Sequence, residues 1–484
     1  MIAPRRPSWD LSPTLCRRLV FALAIGYFLL FSVMSSLKYR WFGQGHDLVL
    51  HEQAIWNTTQ GRIFAITGFG HPSRLFGYDP YLIELLVVPL YALVPTVFTL
   101  FVLQSFAIAA GAPAVWLIAR DEGLPPVAGL ATVLLYLAHP TVQYTNLDAF
   151  RERSLGLCFF LWAMWAFRRD RWRLFLAFLV LLIICRLEAA LFASCFGLYA
   201  ALKGRPRRYI VAPLVLGLGY FFIGNFVFVP LVNAGAPVSY VYEYFKPLGN
   251  TMGEVLRTVV THPLYTLETT YRTAKLVYLL LLLLPTAGLA LLAPRELVFT
   301  VPLLGLNFLA TKPELTNIRY WYSMLLIGPL VVATIVGLRR VNEWLAGSGR
   351  ASLRWLPLVA LLGCLAIAQV FPRNPVVSLL LYHEPARRLA TANAIVDLVP
   401  AEARVAASGR IAPHLLRQYL YYYPLAEPDI AATLDYIIAD ISSNSFDDPP
   451  SRAQLVWVRA SLDWELVLDR DGYQVFRRRG AATR

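Results

Sequence analysis

Charge is scarce in this chain: Asp, Glu, Lys and Arg make up 15% of its 484 residues, against about 25% in a soluble globular protein. That shortage excludes an ordinary soluble enzyme and a disordered protein. Cysteine is sparse too. Cys16, Cys158, Cys185, Cys195 and Cys364 lie in or beside apolar runs, with no CxxC or Cys/His spacing. No disulfide framework or zinc site is implied. The apolar–polar alternation of a membrane β-barrel is missing. So are a Gly-rich phosphate loop, an internal repeat and a low-complexity stretch.

What the chain has in excess is apolar residue runs. Hydrophobic residues reach 57% and the mean hydropathy is +0.54, the composition of an all-α polytopic membrane protein. A spanning helix needs about 20 apolar residues. Runs occur at 19–36, 80–95, 97–118, 125–142, 154–167, 174–185, 189–202, 209–231, 276–292, 297–310, 320–337 and 355–371. The first lacks an A-x-A cleavage pattern and reads as an uncleaved span. The run 80–95 contains Glu84 and Pro89 and ends at Pro95. If it spanned, the clusters Arg168–Arg173 and Lys203–Arg208 would face outward, against the positive-inside rule. Laid in the outer interface instead, it leaves about 11 transmembrane helices, and 18 Lys/Arg fall in short inner segments. The N-terminus is then cytoplasmic. Residues 1–372 form the membrane domain with outer loops 37–96 and 232–275, and residues 373–484 lie outside the cell membrane. The short runs 174–185 and 189–202 read as a tightly packed or tilted pair.

The net charge of +14 sits wholly in residues 1–372, and the tail is balanced with 13 basic and 13 acidic residues. The excess therefore belongs to membrane loops, and no nucleic-acid partner is implied. The tail reads as a small α/β domain, with a helix at 383–398 and strands at 403–408, 434–439, 464–469 and 473–478. Ser408-Gly409 after a strand is too little to indicate a nucleotide site.

This topology places Asp47, Glu52, Asp79, Glu84, Asp148, Glu152 and Glu188 on the outer face, with Arg151, Arg186, Lys312 and Arg319. Acids at a bilayer edge tend to line polar cavities or pathways. Such a cavity suits a reaction on a sugar carried by a lipid phosphate. A carboxylate can take the acceptor's proton, and Arg or Lys can stabilise the leaving phosphate. The richest stretch is Gly45–Asn57. On a helix, Asp47 and His51 are i,i+4 neighbours and form a candidate pair of ligands for a divalent metal. The plainer alternative is an interfacial helix anchored by Trp56. Asp148 reads equally as a capping acid bridged to Arg151, Glu188 with Arg186 as a structural pair, and Lys312 and Arg319 as interfacial anchors. Tyr320, Trp321 and Tyr322 read as an aromatic belt rather than a sugar platform.

Several of these residues stand in an order that resembles a bacterial and archaeal membrane family labelled domain of unknown function 2079. They are Asp47-Leu48, Gln53, Trp56-Asn57 and Gly61, then Pro89, Tyr91 and Pro95, then Gln104, Gly111 and Pro113. Asp148-Ala149-Phe150, Glu188, Pro329 and Gly337 follow, and in the tail Asp435-Tyr436, Asp440 and Val475-Phe476-Arg477-Arg478. The resemblance covers nearly the whole chain. It implies a branch of the GT-C glycosyltransferases, multi-span enzymes that use polyprenyl-phosphate sugars at the outer membrane face. It further implies that Asp47 is the first-loop base or metal ligand, that Asp148 is the second-loop acid, and that 80–95 is a juxtamembrane helix. The chain departs from the family where His is usual and Asp79 or Arg151 stands here. It also carries a single Asp47, with Glu52 one helical turn on, where some GT-C enzymes have strictly paired acids.

The reading that results is an inverting transferase moving a sugar from a polyprenyl-phosphate donor to a glycan, lipid or protein acceptor of the cell envelope. Asp47, Asp148 and Glu188 are the catalytic candidates. Glu52, Asp79, Arg151, Arg186, Lys312, Arg319 and Tyr320 are the substrate-binding candidates. Two rival readings are a lipid or solute transporter and a non-catalytic envelope assembly protein. Against transport stand the missing repeat and the gathering of the acids at one face.

Overall fold

The structure is a computed structural model and describes residues 11–70, 73–234, 244–371, 373–381, 383–425, 428–442 and 449–480. Arg5, Arg6 and Pro372, at which sequence reasoning sets inner charge and the domain boundary, lie outside the described residues, as does part of the loop 232–275.

Helix starts follow from local chemistry. Ser12 accepts a hydrogen bond from the Leu15 amide at 3.2 Å, and Pro13 occupies the first turn, where its missing N–H costs nothing. The helix Pro13–Arg40 then runs 28 residues. Its buried residues, Cys16, Val20, Ala24, Tyr27, Phe31 and Ser35, form one stripe at i+3/i+4 spacing. Phe21, Ile25, Leu29 and Val33 on the other side are exposed, as expected of a face turned to lipid.

Among the described residues, five helical stretches are long and apolar enough to cross a bilayer: Pro13–Arg40, Val97–Asp121, Arg207–Val232, Pro313–Gly347 and Ala351–Leu381. Shorter apolar helices include Pro126–Ala138, Trp172–Ile183, Leu187–Leu202, Thr273–Thr286 and Glu296–Leu309. Every run expected to span therefore carries helix, but not always one helix of spanning length. The run 125–142 divides at His139-Pro140 into Pro126–Ala138 and Pro140–Leu147, because proline removes a donor and clashes with the preceding turn. Within 80–95 the α-helix is Glu84–Leu93, 10 residues, about 15 Å long and half the hydrocarbon thickness.

Trp172–Ile183 and Leu187–Leu202 do pack on each other, but the closer pairing is one helix further along. Leu187–Leu202 packs against Arg207–Ile223, where a Cβ on Gly197 would come within 2.6 Å of the Ile210 carbonyl oxygen, and one on Gly217 within 2.6 Å of that of Ala190. Only glycine permits that approach.

The tail forms a five-stranded sheet of order β2-β1-β3-β5-β4. Its strands are β1 (Val405–Ala407), β2 (Leu420–Tyr422), β3 (Tyr436–Asp440), β4 (Trp464–Arg470) and β5 (Tyr473–Arg478). The first three are parallel, and β5 joins β3 and β4 antiparallel. Asp471 and Gly472 both have positive φ and make the two-residue turn between β4 and β5 that matches strand twist. The helix is Ala386–Leu398. Sequence reasoning missed β2, whose three residues form the sheet edge.

That edge docks on the segment after Arg40. Tyr422 N–H donates to the Gly68 carbonyl at 2.8 Å, and Thr67 Oγ1 bonds both polar groups of Leu420. His414 stacks on Tyr39 and Phe42, 4.1 and 3.8 Å between ring centres. The helix His46–Thr59 is consequently buried between sheet and bundle over most of its length, and does not lie open on an interface. Trp56 is half-buried, with the Arg62 guanidinium 5.3 Å from its ring centre.

Candidate functional site

Asp47 sits in the first turn of the helix His46–Thr59, where a carboxylate complements the helix dipole. At the other end Gly61, at φ +80°, lets the chain reverse. Gly61 N–H bonds the Thr58 carbonyl and Arg62 N–H that of Asn57 at 2.9 Å, a glycine-dependent C-terminal cap. Both ends of this short helix are thus defined by local sequence, and its rotation aims Asp47 and His51 at different partners.

Asp47 meets Arg151, which follows the helix Pro140–Leu147. Arg151 Nη2 lies 2.7 Å from Asp47 Oδ2 and 2.9 Å from Asp148 Oδ2. One guanidinium therefore joins its near neighbour Asp148 to an acid 104 residues away from Arg151 in sequence. Its ring-facing side lies 3.2 Å from the centre of the Trp321 ring. Gln104 fixes the loop from beneath: its Oε1 accepts the Arg151 amide at 2.6 Å, and its Nε2 donates to the Thr145 and Asn146 carbonyls. The Asp47 side chain is 39% exposed, against 25% for Asp148 and 24% for Glu188. Burial raises the Asp47 carboxyl, but the charge and hydrogen bond of Arg151, with His46 and His51, hold it below the usual range. Asp47 is thus a partly exposed carboxylate whose ionised form Arg151 favours.

His51 turns away from Asp47 to Glu84, with Nδ1 and Oε1 2.6 Å apart. Glu84 is fully buried, as is Glu152 at the start of the helix Glu152–Arg168. Arg153 and Arg186 both reach Glu152 Oε1, each at 3.1 Å. Arg153 also bonds Glu188 through Nε, and Arg186 bridges to Asp79 at 3.3 Å and Glu188 at 3.8 Å. Asp79 accepts the Leu187 amide at 3.1 Å and caps the helix Leu187–Leu202. Burial pushes its carboxyl up to about 7, although Arg186 opposes the shift.

The sequence-derived candidates thus divide. Asp47, Asp148 and Arg151 form one contact group. Glu188, Asp79 and Arg186 form a second, and His51 pairs with Glu84 close to Glu152 beside it. Asp148 with Arg151 and Glu188 with Arg186 are the local pairs the sequence suggests, each extended by distant partners. Glu52 joins neither group: its Oε1 accepts the Tyr91 hydroxyl at 3.2 Å, and burial lifts its carboxyl to about 8. Lys312 and Arg319 are exposed. Lys312 Nζ lies 4.6 Å from the Tyr244 ring centre. Arg319 lines a cavity of about 580 Å³ with Tyr144, Val370, Phe371, Arg373 and Ser378. Tyr320 makes an edge contact with Trp321. Trp321 and Tyr322 are not a simple belt, since they lie against Arg151 and Arg153.

Sequence reasoning passed over Arg153, placed Gln104 only in the family pattern, read Trp321 as part of an aromatic belt, and gave Glu84 and Glu152 no role beyond a place among the outer-face acids. An acid inside an apolar run was the available signal for Glu84, because a lone carboxylate there is costly. Nothing local marks Trp321.

The sequence matches the family described as "Predicted membrane protein (DUF2079)" over residues 19–475. The structure resembles ArnT from Cupriavidus metallidurans in the apo state, with a TM-score of 0.50 at 14% identity, covering 94% of this chain and 98% of that one. It also resembles ArnT from the same organism bound to undecaprenyl phosphate, with a TM-score of 0.49 at 14% identity, covering 93% and 98%. No curated protein matches the sequence.

Proposed function

The chain belongs to the DUF2079 family of membrane proteins, and from that membership, the GT-C architecture shared with apo ArnT and the site chemistry, we propose that it is a membrane glycosyltransferase using a polyprenyl-phosphate sugar. The observation that carries the reading is the partly exposed Asp47 carboxylate held by Arg151, itself braced by Asp148, Gln104 and Trp321.

In this reading the acceptor hydroxyl attacks the anomeric carbon from the face opposite the phosphate. The new C–O bond forms as the bond to the phosphate oxygen breaks. Asp47 takes the hydroxyl proton, and the product is inverted. The two electrons of the broken bond leave with the polyprenyl phosphate. The cavity at Arg319 suits that leaving group. Arg319 and Arg373 offer cationic donors, and Val370 and Phe371 supply an apolar wall for the chain. Lys312 adds a cation from the same loop. Arg151 orients the base and Asp148 holds Arg151. Glu188, through Arg153 and Arg186, supports the acceptor side.

The topology belongs to the same proposal. The helix Glu152–Arg168 runs from the acid site to a basic end, where Arg168 and Arg339 pair with Glu122 and Lys203 pairs with Glu296. An inner location for that end and an outer one for Asp47 and the sheet satisfy the positive-inside rule with eleven crossings.

The test is a transfer assay in proteoliposomes with the purified protein, a labelled polyprenyl-phosphate sugar and an envelope extract as acceptor. Label should move to acceptor and stop in Asp47→Asn. Passage of the intact labelled lipid across the bilayer without sugar transfer would overturn the reading in favour of transport.

A further inference from the structure

We propose that His51, Glu84 and Glu152 form a buried binding site for one divalent cation. They come from three separate elements: the helices His46–Thr59, Glu84–Leu93 and Glu152–Arg168. One ligand atom from each lies within 4.8 Å of the others, and all three residues are buried. Ligand atoms on one tetrahedral zinc-sized ion stand about 3.4 Å apart. Closing around an ion therefore requires side-chain movements of up to about an ångström.

Two further observations point to an ion. Glu84 Oε2 and Glu152 Oε2 are buried and have no hydrogen-bond partner. Their other oxygens are used: Glu84 Oε1 by His51, and Glu152 Oε1 by Arg153 and Arg186. A buried carboxylate oxygen without a partner is costly, and metal coordination would satisfy both. Charge points the same way: the carboxylates of Asp79, Glu84, Glu152 and Glu188 gather here around the guanidiniums of Arg153 and Arg186, an excess of acidic groups that favours a cation.

One imidazole nitrogen and carboxylate oxygens suit Zn²⁺ or Mn²⁺. Such an ion would tie the Asp47 helix to the start of Glu152–Arg168, one residue beyond Arg151, and so set the distance across which Arg151 spans the two loops. This is a positioning role, separate from the transfer step, and it does not depend on the proposed sugar chemistry.

The experiment is metal analysis of the detergent-purified full chain, followed by titration of chelator-treated protein with Zn²⁺ and Mn²⁺. Wild type should bind about one equivalent and unfold at higher temperature when loaded. Glu84→Gln, which keeps the side-chain shape, and His51→Ala should each lose at least about tenfold in affinity. Asp148→Asn, outside the ligand set, should bind as wild type does. Stoichiometric binding unchanged in Glu84→Gln and His51→Ala would overturn the assignment. If those variants fail to fold, wild type decides: no bound metal and no thermal shift with either ion also overturns it. Loss of transfer activity in a wild type that still binds metal would count against the proposed function and leave the cation site intact.

Discussion

Arg151 lies 3.2 Å from the centre of the Trp321 ring while bonding Asp47 and Asp148 on its edge. The stack fixes the plane of the guanidinium, so the fork reaches both carboxylates at once. A charge that is 5% exposed on its side chain gains from such a contact because water competes weakly for it. The pair also connects the aromatic stretch after Arg319 to the first-loop acid.

Removing that cation should move the pH profile. A base must be ionised, so the rate falls as pH drops through the Asp47 pKa, which Arg151 holds below the ordinary carboxylate range. Arg151→Gln removes the opposing charge and leaves burial to act. The acidic limb of kcat/KM should then shift to higher pH. An unmoved limb would assign the titration to another group.

Asp47→Asn should lower transfer by roughly 10²–10⁴, the usual loss for a general base. Arg151 keeps Asp148 and its place on the Trp321 ring, so its charge is not left without a partner. Thermal unfolding of the variant should therefore stay close to wild type. Wild-type turnover in the purified variant would remove Asp47 from the mechanism.

Glu52 carries a different signature. Its carboxyl is raised from 4.5 to about 8 by burial against Tyr91, so the folded protein retains a proton that the unfolded chain releases. That contribution is present below about pH 4.5 and is lost as pH rises through 8. Glu52→Gln should lessen the decline in stability between pH 5 and 8. Melting temperatures of the two proteins across that range measure it, and parallel curves would contradict it.

Arg319→Lys separates a phosphate contact from an anchor. Lysine keeps the charge and loses the planar fork. If Arg319 holds the donor, donor KM should rise about tenfold in Arg319→Lys and further in Arg319→Ala. A membrane anchor would accept lysine freely, because both side chains snorkel.

Ala401 is exposed on the tail and serves as a reporter of topology. Ala401→Cys should react with a membrane-impermeant thiol reagent in intact cells. Labelling only after permeabilisation would place the sheet, and Asp47 with it, on the inner face.

Much of this molecule was legible from local pattern. Apolar runs marked the helices, because hydropathy and helical period are properties of neighbouring residues. Alternation marked four of the five tail strands, and β2 escaped because three residues hold too little pattern to read. Asp148 with Arg151 could be read from a spacing of three, whereas Asp47 is singled out by the family resemblance and not by spacing. Tertiary structure alone decided the partners. His51 was open to pairing with Asp47 by spacing, yet helix rotation turned it to Glu84, 33 residues away. Arg151 joined Asp47 across 104 residues, and Trp321 reached Arg151 from farther still. Sequence set which charges enter the apolar chain. Only packing of the helices decided how each buried charge is compensated, since a charge withdrawn from water is held by whichever partner the fold brings within reach.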